Sequence, residues 1–90
     1  MNAVIGQSED QNTPGVSGNA SQGAGVQGTS STGAGVIGTS TTWIGVYGES
    51  DQYHGVEGES KAKSQPGVVG INKNALGHWL QVKGLVRMSS

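Results

Sequence analysis

Ninety residues, a net charge of −1, 12% charged side chains and no cysteine bound this chain to one small domain without disulfides or thiolate metal sites. The charge balance gives no reason to expect nucleic acid or an anionic membrane surface as partner. No apolar run approaches the roughly 18 residues that a membrane span needs. Seventeen glycines far exceed the average share of about 7%, and each has unusual freedom to lose on ordering. With so few large apolar residues to offset that loss, a lone subunit lacks an adequate core, and sharing a core between chains is the expected remedy.

The glycines are not scattered. Val-x-Gly returns seven times in the first seventy residues: Val4-Ile5-Gly6, Val16-Ser17-Gly18, Val26-Gln27-Gly28, Val36-Ile37-Gly38, Val46-Tyr47-Gly48, Val56-Glu57-Gly58 and Val68-Val69-Gly70. The first lies close behind Met1-Asn2-Ala3, which has no basic stretch, so no classical secretion signal is expected there. From the second onward each is preceded by Gly15, Gly25, Gly35, Gly45, Gly55 or Gly67, at intervals of 12, 10, 10, 10, 10 and 12 residues. A serine stands two residues after the second glycine in five cases: Ser8, Ser30, Ser40, Ser50 and Ser60. A period this strict predicts one small unit stacked on copies of itself. It divides the chain into a repeat shaft over 1–70 and a C-terminal strand or cap segment over 71–90.

Both long intervals end in Pro-Gly-Val, at Pro14-Gly15-Val16 and Pro66-Gly67-Val68. Pro then Gly fits the centre of a type II turn, with glycine at positive φ. The glycine before valine therefore reads as a corner, and the segment after it as a strand. In a strand Val16 and Gly18 share one face, while Ser17 and Asn19 share the other. The Val/Gly face never carries a charge, so it reads as the inward one. The structural core is then Val16, Gly18, Val26, Gly28, Val36, Gly38, Val46, Gly48, Val56, Gly58, Val68 and Gly70, with backbones in close approach at the glycines. Helix is excluded because glycine recurs through every candidate turn.

Ten residues make one strand and one corner, which is one face rather than a full turn. A single-chain β-roll needs two repeats per turn, and odd and even repeats should then differ. The exposed column Ile5, Ser17, Gln27, Ile37, Tyr47, Glu57, Val69 shows no such alternation. The expected fold is therefore all-β, an intertwined homotrimeric triple-stranded β-helix, with the single-chain β-roll solenoid as the alternative. Beyond Gly70 the Gly-Val-x-Gly repeat stops. Leu80, Val82, Leu85 or Val86 and Met88 alternate with polar residues, as a terminal cap would. Trp79 is its largest apolar piece, a packing aromatic or a contact to a partner.

Trp43 and Tyr53 each lie two residues before a Gly-Val pair, with Tyr47 and His54 nearby. These four are the candidates for glycan or partner contact, and aromatic packing against the stack accounts for them equally well. Glu49, Asp51, Glu57 and Glu59 form an acidic stretch. Paired carboxylates can hydrolyse glycosides, but here they read as a solvated outer face. His54 and His78 are 24 residues apart with no second ligand in sight. No metal site, cofactor or catalytic residue is expected, and the serine column reads as a product of repetition rather than a set of nucleophiles. Thr29-Ser30-Ser31 and Thr39-Ser40-Thr41 suggest the flat ladder of an ice-binding solenoid. Glu49, Asp51, Glu59 and Lys61 break it in the next repeats.

The Val-x-Gly units, Val16-Ser17-Gly18-Asn19 most closely, resemble the triple-stranded β-helix of contractile-tail phage needles and type VI secretion spikes. The longer pattern Gly-Val-x-Gly-x-Ser resembles repeat tracts in tail-fibre and surface-fibre proteins of phages and bacteria. In such tracts a segment like Leu80-Gln81-Val82-Lys83-Gly84-Leu85-Val86 often follows. The resemblance runs over residues 3 to 86. The ten-residue spacing is longer than that of the needles and points to a fibre shaft instead. It implies a non-catalytic structural fibre or stalk, a homotrimer on a virion or outside the cell, with a host-surface glycan as the outside partner. A carbohydrate-binding adhesin module and an ice-binding β-solenoid are the alternatives.

Overall fold

The computed structural model describes residues 3–89. The in-phase start at Met1 and Asn2, and Ser90 of the cap segment, lie outside those residues. The chain divides into two units, Met1–Val46 and Tyr47–Ser90. Neither contains a helix or a strand among the described residues, as the density of glycine predicts for helix. The all-β expectation is thereby corrected, both as the triple-stranded β-helix and as the single-chain β-roll. The physical reason is the lack of a ladder. Only three backbone–backbone hydrogen bonds form among the described residues, and each closes a local turn. A strand needs a parallel or antiparallel neighbour within hydrogen-bonding distance along its length. Within each unit, successive repeats approach one another, but no backbone hydrogen bond among the described residues joins one repeat to the next.

Repeats do meet, at their glycines. In the first unit, the second glycine of one repeat lies against the Gly-Val of the next. A methyl carbon placed on Gly28 would lie 2.5 Å from both Gly35 O and Val36 Cγ2, and one on Gly38 would lie 2.6 Å from Val46 Cγ2. Gly6 meets Gly15 and Val16, and Gly18 meets Gly25 and Val26, in the same manner. The second unit repeats the arrangement. A carbon on Gly58 would lie 2.7 Å from Gly67 O and 2.5 Å from Val68 Cγ2, and one on Gly48 would lie 2.6 Å from Gly55 O. The reverse approach is also close, with a carbon on Gly25 2.7 Å from Gly18 O. Backbone seats on backbone, which only a residue without Cβ permits.

The corners differ from the type II turns expected at Pro14-Gly15 and Pro66-Gly67. No described glycine takes a positive φ, so that expectation is corrected. The closing turns lie earlier. Thr13 N–H donates to Asp10 O at 3.3 Å, and Gln65 N–H donates to Ala62 O at 3.5 Å. Each proline follows its turn and fixes φ on the way into Gly-Val.

No described residue is buried, and only Asn72 and Gly77 are partly covered. The valines assigned to an inward face stay open in the single chain: Val26, Val36, Val56 and Val68 are each 71% exposed. That equal figure follows from one packing geometry, with one methyl seated on the preceding glycine and the rest of the side chain free.

Gly38→Ala should destabilise by about 1–3 kcal/mol, as overpacking does. Gly23→Ala, where nothing lies within 4 Å of an added carbon, should be neutral or stabilise by up to about 1 kcal/mol by restricting the unfolded chain. Thermal unfolding of the two variants beside the parent checks both.

Candidate functional site

The bends carry the side-chain chemistry of this chain. Ser30 Oγ accepts Gly33 N–H at 3.0 Å, Ser40 Oγ accepts Trp43 N–H at 3.1 Å, and Ser50 Oγ accepts Tyr53 N–H at 3.0 Å. These three serines open ten-residue intervals, and each reaches the amide three positions on. In the twelve-residue intervals the acceptor reaches two positions on. Ser8 Oγ accepts Asp10 N–H at 3.2 Å, and Ser60 Oγ accepts Ala62 N–H at 3.2 Å. Asn72, at the same place after Val68, accepts Asn74 N–H at 2.9 Å through Oδ1. Short polar side chains of this kind replace a backbone acceptor in tight turns. The serine column is thus a set of turn closures. The signal was present in the sequence, in serine or asparagine four residues after the valine at every repeat except Ala20.

Those closures set the aromatic candidates. Trp43, in the first unit, ends its bend and is 83% exposed. In the second unit Tyr53 occupies the equivalent place in its own bend and stacks on His54, ring centroids 4.1 Å apart at 23°. His54 Nδ1 lies 3.6 Å from Glu57 Oε1. Tyr47 O–H donates to Glu49 Oε2 at 3.5 Å. Tyr53, His54 and Glu57 therefore form one exposed local cluster, and Tyr47 with Glu49 a second contact. An exposed contact between such side chains contributes little to stability.

Glu49 and Glu57 each face a side chain other than a carboxylate. Asp51 and Glu59 lie at the surface. No group of three or more His, Asp or Glu side chains suited to a metal forms among the described residues. No helix among them is long and apolar enough to cross a membrane. Near the C-terminus an open groove is lined by Ala75, Gly77, His78, Trp79 and Leu80. Trp79 forms part of its wall and is 72% exposed.

Ser40→Ala should lower stability by about 0.5–1 kcal/mol through loss of one turn closure. Ala20→Ser should raise it by up to the same amount by supplying the missing acceptor to Gly23 N–H. Both shifts are read in the denaturation midpoint, and equal midpoints for all three chains would remove the serines from the account of the bends. A scan against protein-family models finds no match, and searches of the curated proteins and of the solved structures find none either.

Proposed function

We propose that this chain is a non-catalytic structural segment of a fibre or stalk, acting as a homotrimer on a phage tail or a cell-surface appendage. One observation carries the reading. The valines of six successive repeats, Val16 to Val68, are left 66% to 71% exposed, in a chain with no buried residue among those described. A row of equal apolar side chains at a ten-residue period is covered best by a surface of the same period, and a copy of this chain has one. Unpaired backbone N–H and C=O groups add to the drive for association, since they can pair across copies. Three copies, and the phage or cell-surface setting, come from the fibre tracts that the repeats resemble. The work done is mechanical: uniform units give a shaft of constant section.

Support for a second reading, a carbohydrate-binding module, comes from Trp43 and Tyr53. They hold the same place in their own bends and are 83% and 79% exposed. A flat, open aromatic ring suits the apolar face of a sugar.

Sedimentation equilibrium should give the mass of three chains, and Val26→Asp with Val36→Asp should return it to one. A single-chain mass at every concentration would reject self-association. Binding to a glycan array should be lost in Trp43→Ala and Tyr53→Ala; binding that survives both would reject the second reading.

A further inference from the structure

We propose that residues 72–82 form an eighth repeat unit, with Trp79-Leu80-Gln81-Val82 in the place of Gly-Val-x-Gly, and that Val82 closes the series. Leu80 follows Val68 by twelve residues, the same interval as Val4 to Val16 and Val56 to Val68. Three features of the two earlier twelve-residue intervals recur in this one. The turn is closed by Gly77 N–H to Asn74 O at 2.9 Å, in phase with the Asp10–Thr13 and Ala62–Gln65 turns. Asn72 Oδ1 takes the amide two positions on, as Ser8 and Ser60 do. A carbon on Gly70 would lie 2.8 Å from Trp79 O, as one on Gly58 lies 2.7 Å from Gly67 O.

This third loop also has a side-chain bond across it. Asn72 Nδ2 donates across it to His78 O at 3.0 Å, and Asn74 Oδ1 accepts Leu76 N–H at 3.0 Å. The Asn72 amide lies where any side chain on Gly77 would point, which accounts for glycine there. Asn72 and Gly77 are the two partly covered residues of the described chain.

The last position of the unit differs from all the others. In the seven preceding units it is glycine, and in the six followed by Gly-Val an added carbon would run into the carbonyl and valine methyl of the next repeat. Val82 puts a branched side chain in that space. A further unit seated as in the first seven would bring its carbonyl and valine methyl onto that side chain, so the series is expected to stop at Val82. The inference concerns one chain and does not depend on self-association.

Two measurements test it. Gly70→Ala should lower the melting temperature by about 5 °C or more, and Gly58→Ala should do the same. Gly84→Ala, with nothing within 4 Å of the added carbon, should not. If Gly70→Ala behaves like Gly84→Ala, residues 79–82 are not seated and the proposal fails. For the closure, a copy of residues 49–58 is grafted directly after residue 82, with Val82 and with Val82→Gly. A nuclear Overhauser contact from the grafted valine methyl to the α-protons of residue 82 should appear only with Val82→Gly. The contact in both chains, or in neither, would overturn the role of Val82.

Discussion

Everything ordered in this chain depends on main chain touching main chain at pairs of glycines. The second glycine of one repeat and the first of the next leave no room for a methyl carbon between them. Close packing of that kind gains dispersion energy over a very small area. It also removes the side chain that would otherwise provide a core. The same choice that lets repeats approach therefore leaves the valines with one methyl seated and the remainder open. Cohesion between repeats and exposure of the apolar row are two results of one steric fact.

The bends supply what the glycine contacts cannot, which is direction. Between one contact and the next the chain must reverse within seven or nine positions, and a side-chain oxygen closes the reversal in six of the seven intervals followed by a further unit. Loop length decides which amide is taken. Ten-residue intervals use serine to the third residue on, while twelve-residue intervals use the second and add a backbone turn bond. Trp43 and Tyr53 donate their amides to these closures, so the exposed rings ride on the most strongly specified part of each repeat.

The places of close backbone approach were legible in the sequence because steric exclusion acts residue by residue: in the seven Val-x-Gly units only glycine stands where a Cβ would collide. The absence of helix was legible for the same local reason. Strand was a different matter. Period and face tell which residues recur, but a ladder depends on a partner segment, and in one chain the next repeat meets the last only at its glycines. The Pro-Gly corners misled because proline suits both the inside of a turn and the position just after one. Serine was visible as a column, yet its role needed the bend geometry. The eighth unit was hidden because tryptophan, leucine and valine replaced the letters that define the others, while the turn chemistry stayed the same. At the candidate site, the stack of Tyr53 on His54 is a neighbour contact that adjacency suggests. The pairing of His54 with Glu57 required the backbone path.

One consequence follows from how short every contact is. Within each unit, a repeat finishes its contacts using residues fewer than twelve positions ahead. Local closure of this type carries little loop entropy and is quick. During synthesis each repeat can adopt its final shape soon after it emerges from the ribosome, without waiting for the rest of the chain. The order of formation is then simply the order of translation.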